Sequence, residues 1–308
     1  MGQDMLSAWN QTPTKRKIVE FVAIVTDPSN AAYVPPAERI AVFDNDGTLS
    51  CEKPVSMNIM SALAVLSQKA EQQPELRAVQ PSQAAWKEDI DWFAPYMTSE
   101  KFPELLVTLL AAAAGETEAE FEVRANGWLP TCVHARYGRP YVDLVYVPMV
   151  QLVRYLQANH FRVFVCSGSG MDFIRLFSES AFGIPRENVI GSNLALAWEY
   201  RTGGPVLVRQ AGLVEPHNDR HGKPINIHLH IGRPPVIAVG NANGDIEMME
   251  YCEASGRPFL NVLLQHDDAE REYAYAHGAE RIQTVARERG WVTASMKQDF
   301  ATVFKETA

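Results

Sequence analysis

A short apolar run that ends at a polar turn is the feature that most constrains the fold of this chain. Residues 39–44 form a run with β-branched residues that predicts a buried strand, and Asn45-Asp46-Gly47-Thr48 follows it as a polar turn. Further apolar runs of this kind lie at 161–166, 235–239 and 259–264. Helical patterns separate the runs. Strands that alternate with helices predict a parallel sheet with right-handed crossovers.

The spacing of apolar residues predicts the remaining elements. We expect helices at 15–26, 148–159 and 171–181, and a hairpin with strands at 194–200 and 205–209 around Gly203-Gly204. The stretch 50–135 differs, because it is rich in Ala, Leu, Met, Gln and Glu and lacks β-branched runs. It predicts helices at 57–70, 83–95, 99–113 and 117–126. The predicted organisation is an α/β core formed by 1–49 and 136–308, with a helical insert at 50–135.

Composition excludes several classes of partner. The chain has 308 residues, of which 46% are hydrophobic and 21% charged, as in an ordinary globular protein. The formal net charge is −9, and no run of Lys or Arg is long enough to follow a phosphate backbone, so we expect no nucleic-acid partner. No stretch of about 18 apolar residues predicts a membrane span. The amino terminus lacks the apolar core of a signal peptide, so we expect a cytoplasmic protein, or an exported one if a signal peptide was removed.

Small polar residues stand at the ends of three predicted strands. In a parallel α/β sheet, ligands bind beyond the carboxyl ends of the strands, so these residues predict a shared site. Lys223 lies in a predicted polar loop before the third of these strands. The strand-end residues are Asp44 and Asp46, then Ser167 and Gly168, then Asn241 and Asp245.

Asp44 and Asp46 are two residues apart, so a strand end and its turn can direct both carboxyl groups into one small volume. Two carboxylates so close repel each other unless a cation or a proton lies between them, and Mg²⁺ suits oxygen ligands of this kind. One carboxylate can attack phosphorus and form an aspartyl phosphate. The other can protonate the leaving oxygen and later deprotonate the attacking water. A plain turn or a calcium loop is the alternative, but the ninth to twelfth positions after Asp44 offer no Glu for an EF-hand.

Other residues near the strand ends fit the binding of a phosphoryl group. Thr48 offers a hydroxyl group, and Ser167 with the N–H groups that follow it, beginning at Gly168, can hold a phosphoryl oxygen at a helix amino terminus. A helix cap is the alternative interpretation of Ser167. Lys223 can neutralise both a carboxylate nucleophile and the phosphoryl group. An isolated lysine, however, is usually solvated.

Asn241 and Asp245 lie in a loop rich in Gly and Asn after the third strand. One of them can complete the metal shell while the other holds a metal ligand or Lys223 in place. A simple turn is the alternative interpretation of the loop.

The histidines and cysteines give weaker signals. His228 and His230 alternate as in a half-exposed strand, and no third ligand has the spacing of a zinc site. His266 follows a core strand and is therefore a candidate site residue, although a structural role is more common. The four cysteines form no Cys-x-x-Cys pair, and they predict small buried side chains instead of disulfides or a zinc finger.

Four motifs in this order resemble those of the haloacid dehalogenase superfamily, and within it the phosphatases of the phosphoserine-phosphatase-like branch. The resemblance implies a Rossmann-like core in which the helical insert is a cap that closes over the site and selects the substrate. The motifs are Phe43-Asp44-Asn45-Asp46-Gly47-Thr48-Leu49, Val165-Cys166-Ser167-Gly168, Gly222-Lys223-Pro224 and Val239-Gly240-Asn241-Ala242-Asn243-Gly244-Asp245.

The same resemblance implies roles for individual residues. Asp44 would be the nucleophile and a metal ligand. Asp46 would be the general acid and base, and would bind the metal through its backbone carbonyl. Thr48 and Ser167 would contact the phosphoryl group, and Lys223 would be the lysine of the third motif. Asp46 also argues against a true dehalogenase and against the ion-pumping ATPases, which carry Thr at that position.

One motif departs from the family pattern. The fourth motif usually begins Gly-Asp, and here it is Gly240-Asn241, so the side chain offers a carbonyl oxygen without charge. Either Asn241 or Asp245 would then be the direct metal ligand. Either Glu52 or Lys53 could reach the site from the junction with the cap, as an acidic residue does in phosphoserine phosphatases.

The sequence thus predicts a Mg²⁺-dependent phosphohydrolase that acts on a small-molecule phosphomonoester. Two alternatives remain at this point. One is a phosphotransferase or mutase with the same intermediate. The other is a non-catalytic module that binds a phosphorylated ligand.

Overall fold

In the computed structural model, which describes residues 4–93, 96 and 102–306, strands and helices alternate along most of the chain. The strands are β1 (Ile40–Phe43), β2 (Val133–His134), β3 (Arg139–Pro140), β4 (Arg162–Gly170), β5 (Val189–Arg201), β6 (Gly204–Val214), β7 (Ile237–Gly240), β8 (Leu260–Gln265) and β9 (Val292–Ser295). The α-helices are α1 (Pro13–Thr26), α2 (Met57–Gln72), α3 (Ser82–Trp86), α4 (Ile90–Phe93), α5 (Phe102–Ala112), α6 (Glu118–Trp128), α7 (Val147–Ala158), α8 (Met171–Arg175), α9 (Gly222–Ile231), α10 (Ile246–Glu253), α11 (Glu280–Arg289) and α12 (Met296–Asp299).

The chain divides into two compact units. The first comprises the described residues up to Cys51, Asp143–Gly191 and the chain from Pro216 onward. The second comprises Glu52–Val142 and Ser192–Glu215. The hairpin segment 192–215 thus groups with the helical insert, whereas the predicted division placed it in the core. Of the predicted helices 83–95 and 99–113, residues 94–95 and 99–101 lie outside the described residues.

β1 lies in the middle of the sheet of the first unit. The parallel strands have the order β4-β1-β7-β8-β9. The register pairs Phe43 with Val165 on one side and with Val239 on the other. The chain therefore leaves β1 for β4 on one side and later places β7 on the other side, which makes the carboxyl ends of these strands the switch point of the sheet. The predicted parallel α/β core is confirmed.

Burial of β1 and of the helices around it explains why the sheet forms here. All residues of β1 are fully buried, as expected for a strand inside a parallel sheet. Helices α9, α10 and α11 each direct apolar side chains into the same core. That core includes Ile40, Val42, Phe164, Cys166, Ile190, Ile227, Ala238, Ile246, Met248, Met249, Cys252, Leu263, Ile282 and Ala286.

The second unit has its own apolar core and a β-hairpin. Helix α6 begins with a capping box in which Thr117 and Glu120 satisfy each other's backbone N–H groups. β5 and β6 pair in antiparallel register, and the amide of Gly115 donates to Arg209 O of β6 at 2.9 Å. The core of this unit consists of Val55, Ile59, Leu63, Leu66, Ala84, Ala85, Phe93, Leu105, Leu109 and Ala112.

Several predicted elements differ from the observed ones. β4 continues to Gly170, beyond the predicted 161–166. The predicted helix 171–181 is divided into the short α8 and a π-helical turn at Ser178–Phe182. Lys223, His228 and His230 lie on α9, and not in a loop and a strand, because Gly222 and Gly232 mark the two ends of a helix between them.

The described residues hold no disulfide or membrane-spanning helix. All four cysteines are free, and burial raises the pKa of the Cys132 thiol to about 11 and that of Cys166 to about 12. The prediction of small buried side chains holds for Cys51, Cys166 and Cys252, whereas Cys132 is half-buried. In the described part of the chain, no helix combines the length and the apolar character needed to cross a bilayer.

Leu156→Ala should destabilise the first unit far more than Leu229→Ala. Leu156 on α7 is fully buried, whereas Leu229 on α9 is 67% exposed, so the same atoms are removed from opposite environments. We expect losses of about 2–5 kcal/mol for the buried position and within about 0.5 kcal/mol for the exposed one. Urea denaturation followed by circular dichroism measures both. Equal losses would contradict the burial of Leu156 on α7.

Candidate active site

The end of β1 and the turn after it place two carboxyl groups at the edge of the sheet. The amide of Asp44 donates to Val239 O at 2.9 Å, so Asp44 is tied to β7 just beyond the end of β1. The amides of residues 48–50 all donate to Asn45 O, at distances between 2.8 and 3.1 Å. Gly47 adopts φ +77°, a conformation that favours glycine. The turn is thus closed tightly by its own backbone.

Lys223 joins two carboxylates in the interior of the first unit. Its Nζ donates to Asp44 Oδ1 at 2.7 Å and to Asp245 Oδ1 at 2.6 Å. The side chains of Lys223, Asp44 and Asp245 are 3%, 9% and 2% exposed, so these charges are paired almost without water. Lys223 is the second residue of α9, which fixes its direction of approach.

The charges in this cluster are not balanced. Burial raises the pKa of Asp44 well above its ordinary value; the positive charge of Lys223 opposes this shift, and the carboxylates of Asp245 and Asp46 add to it. Burial alone would lower the pKa of Lys223, but Asp245 and Asp44 outweigh it and raise that pKa well above its ordinary value. Lys223 is therefore charged, and carboxylates outnumber cations around Asp44.

Asp245 uses both of its carboxylate oxygens inside the protein. Oδ1 accepts from Lys223, and Oδ2 accepts from the backbone N–H groups of Asn241 and Ala242 at 2.9 and 3.0 Å. Gly240 leaves room for this side chain, because a Cβ atom at Gly240 would lie 2.5 Å from Asp245 Cγ. Of the two roles open for Asp245, this geometry favours holding Lys223 over direct binding of a metal.

Asn241 and Thr48 contact each other across the neighbouring strands β1 and β7. Thr48 Oγ1 donates to Asn241 Oδ1 at 3.0 Å, and both side chains are buried. The hydroxyl proton of Thr48 is thus directed at Asn241. Contact of Thr48 with a phosphoryl group stays a prediction.

Two serines at the end of β4 bind the carboxylate of Asp46. Ser169 Oγ donates to Asp46 Oδ2 at 2.6 Å, and Ser167 Oγ lies 3.4 Å from the same oxygen. Asn218 Nδ2 donates to Ser167 O at 2.8 Å and so holds the backbone at the end of β4. Ser169 and Asn218 were not predicted as site residues. For Ser169 the sequence carried a signal. It lies two residues after Ser167, and residues two apart on a strand share a face.

Three further residues were predicted to contact the substrate. Gly168 is exposed, between the two serines of β4. Glu52 and Lys53 belong to the second unit, where their side chains form an ion pair at 3.8 Å. Lys53 O there accepts a hydrogen bond from His134 Nε2 at 2.8 Å. The first unit thus brings together all the other predicted residues: Asp44, Asp46, Thr48, Ser167, Lys223, Asn241 and Asp245.

Oxygen atoms at these strand ends are candidate ligands for a metal ion. Within the described ranges, no group of three or more His, Cys, Asp and Glu side chains could hold one. The candidate ligands at the strand ends are of two kinds: the carboxylates of Asp44 and Asp46, and the amide oxygen of Asn241. Mg²⁺ needs only one or two carboxylates, because water and phosphate oxygens complete its shell. The excess of carboxylates around Asp44 fits such a cation.

Known proteins resemble this chain in family and in fold. The model of the haloacid dehalogenase-like hydrolase family matches residues 41–250. A comparison with curated proteins gave no match. Among solved structures, a protein of unknown function from Bordetella pertussis Tohama I is 16% identical, with 83% of this chain and 97% of that chain covered and a TM-score of 0.52.

Two further solved structures are similar. A functionally unknown protein from Anaerococcus prevotii DSM 20548 is 14% identical, with 100% of both chains covered and a TM-score of 0.59. A phosphoserine phosphohydrolase-like protein from Francisella tularensis subsp. tularensis SCHU S4 is 17% identical, with 85% of this chain and 95% of that chain covered and a TM-score of 0.44. At such identities, the likeness to the proteins from B. pertussis and A. prevotii shows a common fold.

The region matched by the family model contains all four sequence motifs. It begins in β1, passes through the serines of β4 and the lysine of α9, and includes the loop of Asn241 and Asp245. It therefore covers more than half of the chain and every polar strand end described above. The chain belongs to the haloacid dehalogenase-like hydrolase family.

Proposed function

We propose that this protein is a Mg²⁺-dependent phosphohydrolase that cleaves a small-molecule phosphomonoester through an aspartyl phosphate on Asp44. The observation that supports this most strongly is the buried contact of Lys223 with Asp44 at 2.7 Å, at the switch point of a parallel sheet. Membership of a hydrolase family agrees with it.

Asp44 is the proposed nucleophile. Lys223 holds Oδ1, so the carboxylate has a fixed orientation in which Oδ2 can attack phosphorus. A new bond forms between this oxygen and phosphorus while the ester bond from phosphorus to the leaving oxygen breaks. The charged Lys223 also stabilises the negative charge that builds up on the phosphoryl oxygens.

Asp46 is the proposed general acid and base. It is less buried than Asp44, and the two serine hydroxyl groups of β4 fix the direction of its carboxyl group. Asp46 would give a proton to the leaving oxygen in the first step. It would then take a proton from the water that attacks the phosphorus of the aspartyl phosphate, and this returns Asp44 to its free form.

Residues around these two groups would bind the substrate. Thr48, Ser167 and the backbone at Gly168 are proposed to contact the phosphoryl group. Glu52 and Lys53 are proposed to contact the rest of the substrate. These two residues lie in the second unit. We propose that this unit is the cap that selects the substrate, as caps do in the haloacid dehalogenase superfamily.

Mg²⁺ would be held by Asp44, by the backbone carbonyl of Asp46 and by Asn241. When bound, it would neutralise charge on the phosphoryl oxygens. Asn241 contributes no charge of its own, so the two carboxyl groups supply the charge that attracts the cation. Asp245 would hold Lys223 and the loop of Asn241 in place, as its three contacts indicate.

Asp44→Asn should abolish hydrolysis of p-nitrophenyl phosphate, because an amide cannot form the acyl phosphate. We expect a loss of at least about 1,000-fold in kcat. EDTA should stop the wild type, and added Mg²⁺ should restore it. Asp27→Asn, at an exposed aspartate after α1, is the matched control and should retain activity. A phosphate assay would show release of inorganic phosphate, which separates hydrolysis from transfer to another acceptor. Undiminished activity of Asp44→Asn would contradict the proposed nucleophile.

Gly240→Ala should disturb the site without touching a proposed catalytic side chain. Its Cβ would overlap Asp245, which must then move and loosen its hold on Lys223. We expect kcat/KM to fall by at least about tenfold, with a loss of stability of about 1–3 kcal/mol. Gly127→Ala on α6 meets no atom within 4 Å and serves as the control. Wild-type kinetics in Gly240→Ala would show that the position of Asp245 does not matter for turnover.

A further inference from the structure

A buried histidine contacts the backbone of the turn between Asp46 and Thr48. His266 Nε2 lies 2.7 Å from Gly47 O, and the residue is 6% exposed. A carbonyl oxygen only accepts, so the hydrogen is on Nε2. The turn and the histidine are distant in sequence, and this hydrogen bond joins the turn to the end of β8.

Glu272 fixes the other side of the histidine ring. It is fully buried, and its Oε2 lies 3.1 Å from His266 Nδ1. One proton must lie between these two atoms, since both are acceptors without it. The other oxygen, Oε1, is 3.1 Å from Tyr146 Oη and 3.2 Å from Cys51 Sγ. The plane of the His266 ring is thereby fixed, with its Nε2–H directed at Gly47 O.

The segment that contains Glu272 is itself anchored. Asp267 accepts a hydrogen bond from the Ser295 hydroxyl group at 2.5 Å. Arg271 Nε donates to Asp268 at 2.5 Å, and its two other nitrogens each donate to a backbone carbonyl near the carboxyl terminus at 2.9 Å. The position of Glu272 is therefore set by tertiary contacts.

This arrangement has a consequence for Asp46. The Gly47 amide donates to Ser50 O at 2.8 Å, and the Gly47 carbonyl accepts from His266, so the peptides on both sides of Gly47 are held. Without His266, the carbonyl would be buried and unsatisfied, and the turn would rearrange. Because Asp46 immediately precedes Gly47, such a rearrangement changes the direction of its carboxyl group.

We infer that His266 and Glu272 are a positioning pair that holds the Gly47 turn and so aims Asp46 at the leaving oxygen. The kinetic part of this inference rests on the proposed function, whereas the structural part does not. Neither residue touches the reacting atoms in this arrangement. Both act through the backbone of the turn.

The kinetic test compares phenyl phosphate with p-nitrophenyl phosphate. The two esters have similar shapes, but phenoxide is the poorer leaving group and needs the proton from Asp46 more. His266→Leu should lower kcat/KM for phenyl phosphate about tenfold more than for p-nitrophenyl phosphate. Asp46→Asn should show the same bias, and His266→Gln, which retains an N–H donor, should recover part of the loss. Equal losses for both esters in His266→Leu would overturn the inference.

Hydrogen exchange tests the structural part independently. In His266→Leu, the amides of residues 47–50 should exchange at least about tenfold faster than in the wild type. Val22→Ala, a cavity variant in α1, controls for a general loss of stability. If His266→Leu does not fold, Glu272→Gln replaces it, because glutamine has nearly the same shape as glutamate. The amides of residues 47–50 should then also exchange faster, but by a smaller factor. Unchanged exchange would overturn the inference. A wild type that hydrolyses neither ester refutes the proposed function, while the exchange result still decides whether His266 holds the turn.

Discussion

The position of one ammonium group sets the geometry of this site. Lys223 Nζ is shared by Asp44 and Asp245, and all three side chains are buried. Removal of one partner from a buried charge pair costs about 3–5 kcal/mol, because the remaining charge loses its compensation. Since the three residues come from the end of β1, the start of α9 and the loop after β7, their contact joins elements that are far apart in sequence. The fold and the charge cluster therefore stabilise each other.

The order of the strands explains why these groups meet. β1 lies between β4 and β7, so the carboxyl ends of the three strands are neighbours. Asp46 faces the serines of β4, while Thr48 contacts Asn241 beyond β7. The turn after β1 thus contacts the strand ends on both sides. His266 and Glu272 add a third attachment from the end of β8, on the carbonyl of the same turn. The turn is thus held both by its own backbone hydrogen bonds and by contacts from neighbouring elements.

Much of the core and of the cluster could be predicted from local sequence. The apolar run before Asp44 and the polar groups after each strand indicated both the parallel sheet and its functional edge. Lys223 was predicted as a site residue, but its place on α9 was not, because a loop rich in polar residues obscured the start of the helix. The attachment of His266 to Gly47 could not be predicted, since a hydrogen bond between residues so distant in sequence has no local signal. The grouping of 192–215 with the insert likewise depends on tertiary contacts.

Chemical trapping of the intermediate is the most direct measurement. Enzyme quenched with acid during turnover would be reduced with borohydride, which converts an aspartyl phosphate into homoserine, and its peptides would then be analysed by mass spectrometry. We expect homoserine at Asp44 in the wild type with Mg²⁺, and aspartate there when substrate is omitted. Unmodified Asp44 at every time point, while substrate is consumed, would contradict a covalent role for this residue.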